Sequence, residues 1–238
     1  MITARHPEPL SSPPATVHHV WYAAYGSNMH QYRLSYYLRG GRPPGNARTY
    51  PGCRDPRPPG RALPVMLPGQ LYFAMESAAW TGGMAFYDPD ASGETPAGAS
   101  LLTAGQFADI AAQEMRRQPG SDLNLRELLV SGRIRLGPGR YETLVCAGLL
   151  DGCPVLTFTA PWRSHEVEPT APSAAYLRHL ASGLAEAHAW APLRIARYLA
   201  GRPGVRGVWD ANALAALFAD PGALGSVGPV GETPGALA

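Results

Sequence analysis

The stretch Tyr22-Ala23-Ala24-Tyr25-Gly26-Ser27-Asn28 decides how this chain is expected to fold. Its apolar and aromatic residues predict a short buried strand over Val20 to Tyr25, which Gly-Ser-Asn ends abruptly. A helical pattern follows over Asn28 to Leu38, with Ser27 or Asn28 able to cap it. A strand that turns directly into a helix leaves backbone N–H groups without partners. The helix dipole adds partial positive charge, so the turn is a candidate binding site for an anion or a carbonyl oxygen.

The composition predicts one folded domain. The chain has 238 residues, of which 45% are hydrophobic, enough for a sizeable core. Its 27 glycines and 25 prolines predict long loops. We expect a disordered tail over residues 1–17, a single domain over residues 18–220 and a loose C-terminal segment over residues 221–238.

Charge and cysteine content argue against several classes of protein. A net charge of +2 is too small to favour a nucleic-acid surface. The cysteines form no CxxC pair, so neither a metal site nor a disulfide framework is expected. No apolar run reaches the ~20 residues of a membrane span, and the first residues lack the apolar stretch of a signal peptide. We therefore expect a soluble cytoplasmic protein without membrane or nucleic-acid partners.

Periodicity and turn signals predict the remaining elements. Strands are expected over Gln70–Met75 and Met84–Tyr87, and a hairpin over Tyr141–Leu150 and Val155–Thr159. Helices are expected over Thr103–Arg117 with Thr103 as the N-cap, from Pro172 to about Trp190, and from Pro192 to about Ala200. Residues 39–68 are rich in Gly, Pro and Arg and are expected to form a long loop with one short strand at most.

The first of the helices after that loop carries a carboxylate on its apolar face. Phe107 and Ile110 share this face with Glu114 by their i, i+3 and i+7 spacing, while Asp109 and Gln113 are expected on the opposite side. A carboxylate that is buried without a partner is costly, and enzymes use such groups as general bases. Glu114 is therefore a candidate general base. The alternative is that it lies at the edge of the apolar stripe and pairs with an arginine.

Short motifs occur in a fixed order along the chain. Tyr25-Gly26-Ser27-Asn28 resembles the YGSN signature of the gamma-glutamylcyclotransferase family. Ala112-Gln113-Glu114 closes a helix as the catalytic glutamate of that family does. Pro172-Ser173-Ala174-Ala175-Tyr176 resembles its P-S-x-x-Y stretch, and Trp80-Thr81-Gly82-Gly83-Met84-Ala85 is a weaker match to its Gly-rich strand entry. The resemblance spans about residues 20–190.

This resemblance implies an α+β fold, with a small, mostly antiparallel, barrel-like sheet surrounded by helices. It implies the release of 5-oxoproline and a free amine from a gamma-glutamyl amide, without a metal or a cofactor. The partner would be that small molecule, a gamma-glutamyl amide or amine conjugate. Glu114 would be the general acid/base. The substrate-binding residues would be Tyr22, Ala23, Ala24, Tyr25, Gly26, Ser27, Asn28 and Tyr176.

Some features depart from the family pattern or leave alternatives open. Pro96 cannot donate to a β-ladder, so the strand expected over Thr95–Ser100 is predicted to be short or lost. Ser27 is a weak candidate nucleophile, because the sequence identifies no histidine or acid as its catalytic partner. His179 and His188 are interpreted as surface or packing residues. Two alternative functions remain: a non-catalytic binding or regulatory module on the same fold, and an amide hydrolase that uses the helical glutamate to activate water.

Overall fold

The computed structural model describes residues 3–14, 16–43, 48–77 and 80–219. Strands in these ranges are β1 (His19–Ala24), β2 (Ala62–Pro68), β3 (Gln70–Ser77), β4 (Gly82–Asp88), β5 (Glu94–Thr103), β6 (Arg133–Arg135), β7 (Thr143–Leu150) and β8 (Cys153–Thr159). Helices there are α1 (Gln31–Arg39), α2 (Ala104–Glu114), α3 (Leu125–Ser131), α4 (Ala174–His188), α5 (Pro192–Ala200) and α6 (Ala211–Ala219). None of these helices combines the length and apolar character needed to cross a bilayer. The C-terminal segment predicted to be loose, residues 221–238, lies outside the described residues.

Six strands form one sheet in the order β2-β5-β1-β8-β7-β6, and β3 and β4 form a separate hairpin. β1 is parallel to β8, and the other neighbouring pairs are antiparallel. The hairpin packs against the sheet at β8, where the Tyr87 N–H donates to Thr159 Oγ1 at 3.1 Å. The structure therefore confirms the α+β class and the mostly antiparallel sheet.

Strand β1 is buried on both of its faces. Trp21 and Ala23 belong to a core shared with α4, α5 and the β3–β4 hairpin. Val20 and Tyr22 belong to a second core shared with α1, α2 and α3. Successive side chains of a strand point to opposite faces, which explains this alternation. The turn at the end of β1 therefore lies where helices from both sides of the sheet meet.

Strand β5 corrects the expectation of a short or lost strand around Pro96. It is 10 residues long and lies between β2 and β1. Pro96 stands opposite Met66 of β2, whose N–H donates away from β5, to Arg5 O at 2.8 Å. Pairing with β1 on the other side begins only at Gly98. The missing N–H of Pro96 therefore removes no bond from the sheet, and the proline is tolerated.

The segment before β1 pairs with two strands of the sheet. The Arg5 N–H donates to Pro64 O of β2 at 3.0 Å. Glu8 and Leu149 of β7 exchange two backbone hydrogen bonds of 2.8 Å each. These bonds hold the described part of the segment for which composition predicts a disordered tail. Composition does not show which strands lie at the edge of a sheet and can pair with another segment. β2 is such an edge strand.

The helix caps match the predictions at α2 but not at α1. Thr103 Oγ1 accepts from the Gln106 N–H at 3.1 Å, while Gln106 Oε1 accepts from the Thr103 N–H at 3.0 Å, so the expected N-cap is confirmed as a capping box. A 3₁₀ turn over Ser27–Met29 precedes α1, and the N-cap residue is His30, whose side chain forms no capping bond. The expectation that Ser27 or Asn28 caps this helix is therefore wrong.

Gly83 of β4 lies against the chain that leads into α4. Its N–H donates to Ala171 O at 2.8 Å, and a Cβ at this position would collide with the carbonyl oxygen of Thr170. We expect Gly83→Ala to lower the free energy of unfolding by about 2 kcal/mol, as overpacking does, measured by urea denaturation. Gly60→Ala is the control, because its added Cβ would meet no atom closer than 3.9 Å. Equal losses in the two variants would contradict this packing.

Candidate active site

A cavity of about 200 Å³ opens at the carboxyl end of β1. It is smaller than the ~300–1,000 Å³ of sites for drug-sized ligands, which suits a group the size of one amino acid. The residues of the predicted site that line it are Tyr22, Ala24, Tyr25, Gly26, Ser27, Asn28, Glu114 and Tyr176. Ala23 does not line it, because its side chain is buried in the core on the other face of β1. Residues of all four motifs thus line this cavity.

The turn after β1 presents backbone donors at the cavity wall. The Met29 N–H donates to Gly26 O at 3.0 Å, which closes the 3₁₀ turn. Among the hydrogen bonds between described residues, none uses the amide N–H of Gly26 or Ser27 as its donor. These two amides can therefore bind an oxygen atom of a ligand.

Glu114, the last residue of α2, brings a half-buried carboxylate to the cavity. Its Oε1 accepts from Asn28 Nδ2 at 2.8 Å. In the described part of the chain, no arginine forms an ion pair with Glu114. The hydrogen bond that holds the carboxylate therefore comes from a neutral amide.

The face of α2 opposite Phe107 and Ile110 is also buried. Asp109 and Gln113 are both 0% exposed, because the long loop before β2 covers them. Asp109 accepts from the backbone N–H of Arg54 at 2.8 Å and from its Nε at 3.0 Å. Gln113 Nε2 donates to Tyr37 O at 2.9 Å. The prediction put these residues on the side opposite Phe107 and Ile110 and did not say what covers that side, because helical spacing shows only which residues share a face.

Asn28 joins the turn to the carboxylate and to a cation. Its Nδ2 donates to Glu114 and also to the Tyr22 hydroxyl, at 3.2 Å, and its Oδ1 accepts from Arg33 Nε at 3.2 Å. An ionised carboxylate only accepts hydrogen bonds and a guanidinium only donates them. The amide must therefore point its nitrogen at Glu114 and its oxygen at Arg33. A side chain with both a donor and an acceptor is needed here.

The tyrosines around the cavity are neutral hydrogen-bonding groups. Burial raises the pKa of Tyr22 and Tyr37 well above the usual range, and the charge of Glu114 adds to this. Burial also raises the pKa of Tyr176 to about 12. The Tyr176 hydroxyl accepts from the Ala85 N–H at 3.4 Å. Tyr25 donates to Phe158 O at 2.7 Å and so forms part of the wall.

Helix α4 holds the turn in place through His179. This buried ring has its Nε2 3.3 Å from Ser27 O, and since a carbonyl only accepts, Nε2 carries the proton. Burial lowers the pKa of His179 to about 4, so the ring is neutral near pH 7. Trp80 packs on both Tyr176 and His179, with ring centroids 5.1 and 5.2 Å apart. His179 and His188 are thus packing residues, and the surface alternative for them is wrong.

A larger cleft of about 670 Å³ adjoins the cavity. The two share Arg48, Ser77, Met84, Glu114 and Tyr141 as lining residues. Glu114 therefore stands where the inner cavity meets the outer cleft.

Among the described residues, neither a metal-binding cluster nor a cysteine thiol contributes to the cavity. The described residues contain no group of three or more His, Cys, Asp or Glu side chains that could hold a metal ion. Cys53, Cys146 and Cys153 are unpaired thiols, and none of them lines the cavity. Burial raises the pKa of the Cys53 thiol to about 12, so it is a poor nucleophile near pH 7. Glu114 supplies the carboxylate of the cavity.

The sequence patterns did not point to several residues of the lining. These are Arg33, Tyr37, Arg48, Tyr50, Ser77, Tyr141, Thr157 and Phe158. Arg33 and Tyr37 lie four residues apart and share one face of the helix that follows the turn, which was a usable signal. Tyr50 lies outside the helices and strands, where periodicity gives no information. Tyr141 was expected to begin a strand, but β7 begins two residues later, at Thr143.

Comparison with known proteins gives one sequence relative. Histone deacetylase 5 of Arabidopsis thaliana is 32% identical over 185 residues, which are 70% of this chain and 28% of that protein. The chain therefore spans less than a third of the length of this relative. No family model matches the chain.

Two solved structures are similar in outline. One is a gamma-glutamyl cyclotransferase, 14% identical, with a TM-score of 0.46 over 84% of this chain and 98% of that chain. The other is an uncharacterised protein from Homo sapiens, 15% identical, with the same TM-score and the same coverage. These values are low, so the function has to be inferred from the site of this chain.

Proposed function

We propose that this chain is a gamma-glutamyl cyclotransferase, which releases 5-oxoproline and a free amine from a gamma-glutamyl amide. The observation that carries the proposal is the 2.8 Å hydrogen bond from Asn28 to Glu114. It joins the turn with its two amide donors to the half-buried carboxylate, in a cavity of amino-acid size. Tyr176 lines the same cavity from α4.

The substrate supplies its own nucleophile in this reaction. Its alpha-amine attacks its gamma-carbonyl, the five-membered ring closes, and the bond to the departing amine breaks. Because the nucleophile is tethered, the protein has only to orient it and to move protons. Glu114 takes a proton from the alpha-ammonium group and later delivers one to the departing amine.

The remaining groups of the cavity bind the glutamyl moiety. The Gly26 and Ser27 amides hold a substrate oxygen, either that of the alpha-carboxylate or the developing oxyanion. The Tyr176 hydroxyl hydrogen-bonds the glutamyl group. The departing amine leaves through the outer cleft, because Glu114 stands at its junction with the cavity.

The alternatives differ in their products. Met84 and Phe158 line the cavity but leave space in it, and this open space favours turnover over a filled binding module. The test is to mix the purified protein with gamma-glutamyl amino acids and gamma-glutamyl amines and to measure 5-oxoproline. We expect one 5-oxoproline for each amine released. Glutamate in place of 5-oxoproline would indicate an amide hydrolase, and binding without either product would indicate a binding module.

Replacement of Ser27 by alanine is expected to change kcat/KM by no more than about threefold. The proposed role of Ser27 uses its backbone amide, which alanine retains. A serine nucleophile would instead lose several orders of magnitude on this replacement. Ser35→Ala is the matched control, since its hydroxyl donates to Tyr32 O at 2.6 Å and does not line the cavity. A loss above about a hundredfold in Ser27→Ala alone would favour a serine nucleophile.

A further inference from the structure

We infer that the Arg33 guanidinium is the binding site for the alpha-carboxylate of the glutamyl group, so that this protein selects substrates in which that carboxylate is free. The inference rests on the proposed function. It assigns the alpha-carboxylate to Arg33, which leaves the Gly26 and Ser27 amides to bind the developing oxyanion.

Arg33 lies on α1 and lines the cavity. Its Nε donates to Asn28 Oδ1 and its Nη2 donates to the Tyr50 hydroxyl, both at 3.2 Å. Tyr50 packs on Tyr37 with ring centroids 4.4 Å apart, so the group that holds Nη2 is itself fixed. The guanidinium is therefore oriented before a ligand arrives.

The positive charge of Arg33 has no carboxylate partner within 4 Å among the described residues. Arginine keeps its charge at all ordinary pH values, and a charge taken out of water is costly without a partner. Glu114 attracts this charge across the cavity, but its Oε1 is hydrogen-bonded to Asn28 and it forms no ion pair with Arg33. The cavity therefore holds a cation with room for an anion beside it.

The unused donors of Arg33 suit a carboxylate. A guanidinium has five N–H groups in a planar fork, and the bonds to Asn28 and Tyr50 use two of them. Nη1 makes no hydrogen bond to another described residue and is not among the fully buried polar atoms. Arg48 also lines the cavity, but it donates to Gln113 O and lies over the Tyr50 ring at 4.7 Å. Forked donors with a full charge bind carboxylates better than neutral ligands.

This placement also positions the reacting amine. In an alpha-amino acid, the carboxylate and the ammonium group are attached to the same carbon. A single amide group, that of Asn28, separates Arg33 Nε from Glu114 Oε1. A carboxylate bound at Arg33 therefore brings the alpha-ammonium group towards Glu114. The Gly26 and Ser27 amides are then left for the oxyanion that develops on the gamma-carbonyl.

The experiment measures binding and turnover with paired probes. Binding of 5-oxoproline and of 5-oxoprolinamide, its neutral carboxamide, is measured by calorimetry for the wild-type protein, Arg33→Gln, Arg33→Lys and Arg39→Gln. Arg39 is the control because it is an exposed arginine on the same helix and does not line the cavity. We expect the wild type and Arg39→Gln to bind the acid roughly 30-fold or more tightly than the carboxamide. Arg33→Gln should lose this preference with little change in carboxamide binding, and Arg33→Lys should keep part of it.

Tyr50→Phe tests the same assignment with the charge intact. It removes the hydroxyl that orients Nη2, so we expect weaker binding of the acid and unchanged binding of the carboxamide. The inference is overturned if the acid-to-carboxamide ratio is the same in the wild type and in Arg33→Gln, including the case in which neither probe binds.

Turnover separates this inference from the proposed function. The substrates are a gamma-glutamyl amide and the same compound with its alpha-carboxylate converted to a carboxamide. The first compound would cyclise to 5-oxoproline and the second to 5-oxoprolinamide. If the two lactams form equally fast, the cyclotransferase proposal is supported and the role of Arg33 is contradicted. If neither lactam forms while the acid preference in binding depends on Arg33, the carboxylate site is supported and the cyclotransferase proposal is contradicted.

Discussion

Replacement of Glu114 by glutamine is expected to lower kcat by about a thousandfold, within the ~10²–10⁴ that general acid–base catalysis contributes. Glutamine can still accept the hydrogen bond from Asn28, which is 2.8 Å long in the native protein, so the site should keep its shape. What it loses is the group that takes and returns a proton. The measurement is the rate of 5-oxoproline formation at saturating gamma-glutamyl amide, with 5-oxoproline binding measured alongside.

Glu127→Gln is the control for this variant. Glu127 is an exposed glutamate in the first turn of α3 and does not line the cavity. We expect it to retain full activity. If Glu114→Gln kept more than a tenth of the wild-type rate, Glu114 could not be the acid–base group, because the largest part of the proton transfer would still occur.

Replacement of Asn28 by aspartate is expected to lower kcat/KM by roughly a hundredfold. The new carboxylate would lie beside Glu114, where Asn28 Nδ2 is 2.8 Å from Oε1. Two like charges 4 Å apart at an effective dielectric constant of ~20 repel by about 4 kcal/mol, and the neighbouring Arg33 offsets part of this. Two adjacent carboxyl groups do not both ionise readily, so the remaining activity should appear only at higher pH than in the wild type. A pH profile of kcat/KM measures both effects.

Asn28→Ala separates the added charge from the lost hydrogen bonds. It removes the hydrogen bonds to Glu114, Tyr22 and Arg33 without adding a carboxylate. Its acid limb should therefore lie below that of Asn28→Asp. Identical pH profiles for the two variants would contradict the predicted repulsion between the two carboxylates.

Much of the fold could be predicted from local signals. The N-cap residues Thr103 and Ser173 and the helix start at Pro192 lie where capping chemistry and proline preferences place them. Helices α3 and α6 were not predicted, because one is short and the other is so apolar that it shows little periodicity. β5 was misjudged because the effect of a proline depends on which neighbour its nitrogen faces, and sequence does not show this.

Part of the candidate site could also be predicted from local signals in the sequence. The turn after β1, Glu114 and Tyr176 could be found because each lies in a short contiguous motif. Arg33 lies outside these motifs, and only the fold shows that none of the described carboxylates forms an ion pair with it. Tyr50 and Tyr141 reach the cavity from irregular segments, whose paths are set by tertiary contacts and not by local preference.

The backbone pairs made by the segment before β1 set a limit on the shape of the sheet. Arg5 pairs with β2 and Glu8 pairs with β7, strands that stand four positions apart in the sheet order. In a flat sheet these strands would be roughly 19 Å apart, at about 4.8 Å per step. Three residues span at most roughly 11 Å. The sheet must therefore be rolled into a barrel whose two margins approach each other. The segment from Arg5 to Glu8 connects these margins through its backbone hydrogen bonds.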